Sequence, residues 1–314
     1  MKYIAIGGTE RGYKTLLNLI QRDDVTLAHI IIMPGYEDEI ESSKKILNFA
    51  KTNGISYDYS DKINSNIIER VKKINPKLIL GIGIWRSYVP EEFLKIPYHG
   101  YLGLHATPLP RYRGAAGIAW QIINGEDKIM AHALKLNNRY DAGQLILKDE
   151  ESIFSYEIDI QNNLHLPEIL LEYDKIHIKF CNEILSSALK GNLKFIDQDE
   201  SKATYTCFRG PDDGHINWEG RSKDVFNFIR AQSSPYPGAF SYYNGKKIII
   251  ERCKINNKLK NYVGRIPGKI VERDRDSGSV SILTIDGGID IIEIRVGKKI
   301  KPFDFFKSIK TKLT

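Results

Sequence analysis

Cysteine is scarce: Cys181, Cys207 and Cys253 are the only three in 314 residues. Three scattered thiols exclude a disulfide framework and a cysteine-built zinc cluster; reduced thiols in a cytoplasmic protein are expected. Long apolar runs are missing too. No segment approaches the roughly 18–20 apolar residues of a membrane span, and the run opening MKYIAIGG is too short for a secretory signal. No membrane partner is expected. Several catalytic signatures are absent. There is no G-x-S-x-G nucleophile elbow. The GGTERG after the first apolar run lacks the G-x-G-x-x-G spacing of a dinucleotide site. His99, His105 and His132 are not spaced as metal ligands, so no metal is expected. Acidic charge is short in one region only. The formal net charge is +7, yet residues 201–314 carry roughly +10, which leaves the rest slightly acidic. Such a region suits RNA, nucleotide phosphates or a solvated surface, and KKIKPFDFFKSIKTK reads as the last.

What is present is a regular alternation. KYIAIGG reads as a buried strand and ERGYKTLLNLIQRD as a helix. VTLAHIIIM, KLILGIGI, GYLGLHA and KIMAHALKL read as further strands, with amphipathic helices among them. The pattern predicts an α/β class: a Rossmann-like, mostly parallel sheet over residues 1–200. Ligands of such sheets sit beyond the carboxyl ends of the strands. From about residue 205 the texture changes to short apolar segments parted by glycines and polar turns. This predicts a small OB-like antiparallel β-barrel over residues 201–314, with the boundary near 195–205.

The stretch GLHATPLPRYRG, residues 103–114, stands out. His105 ends a predicted strand, and Pro108 and Pro110 forbid its continuation. Asp141, in LNNRYDAGQLI, follows the next predicted strand. Consecutive strands usually lie side by side, so His105 and Asp141 are candidates to share one crevice, where an imidazole and a carboxylate suit proton transfer. Gly8 supplies a tight turn before a helix whose N-terminus faces a ligand, and Arg11 is a candidate substrate contact there.

HATPLPRYRGAAGIAW followed by ALKLNNRYDAGQLI resembles the signature of the folate-dependent formyltransferases, roughly N-x-H-x-S-L-L-P-x-x-R-G and then D-x-G. GIGIWRSYVPEEFLKIP resembles the family's folate-pocket strand and loop. CFRGPDDGHINW and IRAQSSPYPGAFSYYNGKKI resemble its C-terminal domain. The resemblance implies transfer of a formyl group from 10-formyltetrahydrofolate, as co-substrate, to a primary amine. It gives His105 the place of the residue that donates to the developing oxyanion. Asp141 takes the place of the carboxylate that sets the histidine's protonation and receives the amine proton. Trp85, Arg86, Ser87 and Tyr88 fall where the family meets the pterin. Thr107 keeps the hydroxyl of the family serine, and Arg113 is expected as a phosphate or loop-fixing contact. One position departs: Gly103 stands where the family has asparagine. A backbone N–H or water in its place, a protonated His105 acting alone, or lost catalysis are the readings this leaves.

The resemblance favours the amine of a nucleotide-linked amino sugar as acceptor, in surface-glycan (lipopolysaccharide or O-antigen) synthesis. Partners are then a nucleotide sugar and folate, with a homodimer among the expected assemblies. The alternatives are methionyl-tRNA formylation and a catalytically impaired folate- or nucleotide-binding homologue. Nucleic acid is the less favoured partner, because only the short PRYRG loop is basic in the N-terminal part.

Overall fold

The computed structural model describes residues 1–35, 40–83, 87–161 and 164–314. The chain runs β1 (Lys2–Gly7), α1 (Glu10–Leu19), β2 (Thr26–Ile32), α2 (Ile40–Thr52), β3 (Ser56–Tyr59), α3 (Ser65–Ile74), β4 (Leu78–Gly81), α4 (Glu91–Leu94), β5 (Tyr101–His105), β6 (Arg113–Gly114), α5 (Gly117–Ile123), β7 (Lys128–Lys135), β8 (Leu145–Leu147), β9 (Ser155–Asp159), α6 (Leu166–Leu189), β10 (Lys194–Ile196) and β11 (Tyr205–Thr206). There follow α7 (Ser222–Arg230), β12 (Ala239–Tyr243), β13 (Lys246–Ile255), β14 (Ile270–Arg273), β15 (Val280–Leu283), β16 (Gly288–Val296), β17 (Lys298–Ile300) and α8 (Pro302–Phe305).

Local chemistry explains the helix boundaries. Thr9 caps α1 by accepting the Gly12 N–H at 3.4 Å, and Asn64 caps α3 by accepting the Ile67 N–H at 3.1 Å. In α1 the buried positions Gly12, Thr15, Leu16 and Leu19 recur at helical spacing, so one face packs inward. α3 ends at Asn75, whose φ of 51° suits an asparagine C-cap. The central strand β4 is apolar on both faces. All of β4 is buried, as a strand covered on two sides must be.

The larger sheet has the order β10-β8-β7-β5-β4-β1-β2-β3, with β9 beside β7. β3, β2, β1, β4 and β5 pair in parallel. The order reverses at β1, which has β2 on one side and β4 on the other, so the crevice for a ligand opens at the carboxyl ends there. Beyond β5 the pairing turns antiparallel: β5–β7, β7–β8 and β8–β10. Ile4, Ile6, Ile31, Val71, Ile79 and Phe93 lie in one buried cluster. The second sheet is antiparallel, in the order β12-β13-β16-β15-β14 with β17 beside β16. Its core contains Trp218, whose indole N–H donates to Ser241 Oγ at 2.9 Å.

The chain divides into two compact units. The first comprises Met1–Gly114, Met130–Glu157 and Glu172–Tyr205; the second comprises Ala115–Ile129, Ile158–Leu171 and Thr206–Thr314. Buried polar ties bind distant segments within the second unit. The Arg230 guanidinium donates to the Ile160 and Leu164 carbonyls at 2.9 and 3.3 Å, and the Cys253 N–H to His165 Nε2 at 3.3 Å. No helix among the described residues is long and apolar enough to cross a membrane.

Candidate active site

β5 ends on His105, and the chain then folds into consecutive tight turns. The His105 carbonyl accepts the Thr107 N–H at 2.8 Å, the Thr107 carbonyl the Leu109 N–H at 3.0 Å, and the Pro108 carbonyl the Arg111 N–H at 3.0 Å. Thr204 pins the far end. Its carbonyl accepts the Arg113 N–H at 2.8 Å and its hydroxyl the Tyr112 N–H at 2.9 Å. A proline-rich loop held at both ends is a stiff wall beside the histidine.

The structure brings His105 and Asp141 together. His105 Nε2 lies 3.5 Å from Asp141 Oδ2, with the side chains 18% and 26% exposed. That nitrogen is buried and has no hydrogen-bond partner among the described residues. Asp141 Oδ2 already accepts the Gly114 N–H at 2.7 Å, so one carboxylate oxygen faces both the loop and the imidazole. His132 stands directly across from His105 in the β5–β7 register. Its Nδ1 donates to the Leu109 carbonyl at 3.0 Å, and burial holds it below the ordinary histidine pKa.

Asp141 reaches this place by a route the sequence reading did not foresee. β7 is antiparallel to β5, so its last residue, Lys135, pairs with Leu102 rather than with His105. Residues 136–143 then make a closed excursion, tied by the Lys135 N–H to the Gln144 carbonyl at 2.8 Å. Gly143 is required in it, because a Cβ there would lie 1.8 Å from the Lys135 oxygen. Asp141 adopts φ 47°, a left-handed conformation that aspartate tolerates better than most residues.

Gln198 fixes that conformation, and nothing local in the sequence announced it. Its amide N–H groups donate to the Asp141 and Gly143 carbonyls at 2.7 and 2.6 Å. Its oxygen accepts from Arg113 Nη2 at 2.8 Å and Nε at 3.1 Å. Arg113 also meets Glu200 through both terminal nitrogens at 3.0 Å, and the residue is 1% exposed. Arg113, expected as a phosphate or loop-fixing contact, has its guanidinium buried against Gln198 and Glu200. Thr107, a candidate substrate contact, is 0% exposed, and its hydroxyl is buried with no hydrogen-bond partner among the described residues.

The other expected contacts are dispersed. Arg11 donates to Asp174 at 2.9 Å and lies 4.4 Å over the Tyr173 ring. The Tyr173 hydroxyl in turn donates to the Leu104 carbonyl at 3.2 Å. Arg11 therefore ties α1 to α6 near the root of His105. Gly8 is packed against the end of β2, where a Cβ would meet the Met33 oxygen at 2.2 Å. Ser87 Oγ donates to the Asp61 carbonyl and Tyr88 is exposed. Trp85 and Arg86 lie outside the described residues. Among the described residues no group of three or more His, Cys, Asp or Glu is placed to hold a metal.

Residues 26–165 match the family model for formyl transferase, and residues 210–310 the model for the formyl transferase C-terminal domain. Over 305 residues the chain is 30% identical to methionyl-tRNA formyltransferase of Carboxydothermus hydrogenoformans, covering 95% of this chain and 94% of that protein. The chain belongs to the formyltransferase family. It is a formyl-transferring enzyme by that membership, and the family draws on 10-formyltetrahydrofolate. It is also 31% identical over 272 residues to the bifunctional polymyxin resistance protein ArnA of Wigglesworthia glossinidia brevipalpis. That match covers 86% of this chain but only 40% of the length of that relative. Among solved structures, the N-formyltransferase from Helicobacter canadensis, in complex with folinic acid and dTDP-3-aminofucose, has a TM-score of 0.68 at 17% identity. The match covers 96% of this chain and 100% of that one, and it is a likeness of fold.

Proposed function

We propose that this formyltransferase formylates the primary amine of a nucleotide-linked amino sugar, in the synthesis of a surface glycan such as lipopolysaccharide O-antigen, with 10-formyltetrahydrofolate as donor. The observation that carries the chemistry is the buried His105 Nε2, unpartnered among the described residues, beside the Asp141 carboxylate. A formyl oxygen is an acceptor that such a nitrogen lacks, so these residues fit a formyl donor. When bound, the folate supplies an electrophilic formyl carbon. His105 would donate from Nε2 to the formyl oxygen as the acceptor amine attacks the formyl carbon, and the bond from that carbon to the folate nitrogen would break as the carbonyl re-forms. Asp141, 3.5 Å away, takes the proton that the amine loses, directly or through one water, and passes it on to the leaving folate nitrogen. Arg113 and Gln198 position Asp141 and touch neither reactant.

Two observations support the sugar acceptor. The segment after His105 closes in short turns on Thr204, without a long basic insertion of the kind that would reach an RNA acceptor stem. The Helicobacter fold neighbour holds a dTDP-amino sugar. Initiator-tRNA formylation is the second reading, favoured by the near full-length match to a methionyl-tRNA enzyme. The test is turnover on UDP-, dTDP- and GDP-linked amino sugars, with and without 10-formyltetrahydrofolate, beside binding of initiator methionyl-tRNA over a salt series. Folate-dependent formylation of one sugar supports the first reading. Steeply salt-dependent tRNA binding with tRNA formylation and no sugar turnover overturns it.

A further inference from the structure

At the end of the larger sheet opposite His105, a cleft of about 490 Å³ opens among Lys77, Tyr98, His99, Leu189, Leu193 and Phe195. Lys77 immediately precedes β4 and His99 lies just before β5, joined by the His99 N–H donating to the Lys77 carbonyl at 2.8 Å. The length of β5 separates the cleft from His105 by about 15 Å. Its volume falls within the usual range for small-molecule sites.

Lys77 lines the cleft, and a second lysine, Lys135, stands beside the lining Phe195. Lys77 Nζ sits 5.3 Å from the Tyr98 ring centroid. Lys135 lays its stem along Gly100 and carries Nζ to 5.0 Å from the Phe195 ring centroid. Neither lysine has a carboxylate within ion-pair distance among the described residues. Burial, and after it the two ammonium groups, lowers the His99 pKa below its ordinary value. Complementing the α6 C-terminus does not account for them. Three of its C-terminal carbonyls, those of Ser186, Ser187 and Ala188, are already taken by the N–H groups of Lys190, Asn192 and Gly191 at 3.2, 3.0 and 3.2 Å. Two unpaired cations flank an aromatic floor, and Tyr98, 77% exposed, offers a ring surface beside them.

We propose that this cleft is a second ligand site, distinct from the formyl-transfer centre, for a small aromatic anion of the nucleotide class. The base stacks on Tyr98, and the phosphates lie between Lys77 and Lys135. Aromatic stacking and paired lysines together select a phosphate attached to a planar ring over a bare anion.

The experiment is calorimetric titration of the full chain with UDP and separately with inorganic pyrophosphate, for the native protein, a K77E/K135E variant and Y98A. Thermal melting of each variant checks that it is folded. Whatever UDP does at the formyl-transfer centre, K77E/K135E is expected to lower the number of bound UDP molecules by one while leaving formyl-transfer kcat within twofold. Y98A is expected to weaken UDP at this site by about tenfold and pyrophosphate by less than twofold. An unchanged UDP stoichiometry in folded K77E/K135E overturns the proposal. So does pyrophosphate binding as tightly as UDP, which would make the cleft an anion site without base recognition. The count of sites separates this proposal from the nucleotide-sugar reading, because each can fail while the other stands.

Discussion

Gly103→Asn restores an amide two residues before His105, on the same face of β5. The structure has room for it. Among the described residues a Cβ built on Gly103 meets only the Leu136 Cδ1 methyl, at 3.2 Å, and no positive φ stands in the way. That methyl is the far end of a flexible side chain, so the steric cost sits at the low end of the roughly 1–3 kcal/mol usual for overpacking. Replacing glycine within a strand returns about 0.5–1 kcal/mol of it through the unfolded chain. The melting temperature should therefore hardly move. A well-placed oxyanion donor is worth about 10²–10³ in kcat when it is the only one. Here His105 already serves, so a rise of about tenfold is expected. Steady-state kinetics with saturating formyl donor separates the outcomes. If kcat is unchanged and KM for the acceptor climbs tenfold or more in a folded variant, the space at Gly103 belongs to the substrate. The reasoning that treats it as a vacant donor position is then refuted.

Further outcomes follow from the same geometry. Asp141→Asn keeps an oxygen for the Gly114 N–H but loses the charge, so kcat should fall at least a hundredfold with the melting temperature nearly unchanged; Asp141→Ala should lower both. Arg113→Met strips the Gln198 oxygen of its donors and leaves a buried acceptor unsatisfied. Urea unfolding should report a loss of about 1–3 kcal/mol, and kcat should drop through the loosened Asp141. His177 is fully buried and its pKa is lowered to about 3, chiefly by burial. It stays neutral in the fold but charges in the unfolded chain, so its contribution is complete above the ordinary histidine pKa and is lost as pH falls toward 3. The slope is at most about 1.4 kcal/mol per pH unit, and a pH series of urea midpoints should be flatter in His177→Gln.

Much of this was legible in the chain. The helix caps at Thr9 and Asn64, the apolar run of β4 and the strand end at His105 each rest on neighbours within a few residues, so local chemistry announces them. The way Asp141 arrives was not legible. The alternation of elements reads alike for a parallel and an antiparallel β7, and only the register of Lys135 with Leu102 separates the two. Nor was Gln198, which lies 57 residues from Asp141 and 85 from Arg113. A side chain that works through such distant partners leaves no spacing to read. Arg113 and Arg11 looked alike as loop and helix-end cations. The structure distinguishes their partners: Arg113 is buried beside Glu200, and Arg11 pairs with Asp174.

The central claim is that His105 and Asp141 drive formyl transfer to a sugar-linked amine. It is tested most directly by single-turnover formylation of a nucleotide-linked amino sugar with 10-formyltetrahydrofolate, in the native enzyme and in His105→Ala side by side. The account predicts product from the native enzyme and a rate at least a hundredfold lower in a folded His105→Ala. Full rate without His105, or no formylated sugar from any nucleotide-linked substrate, would contradict it.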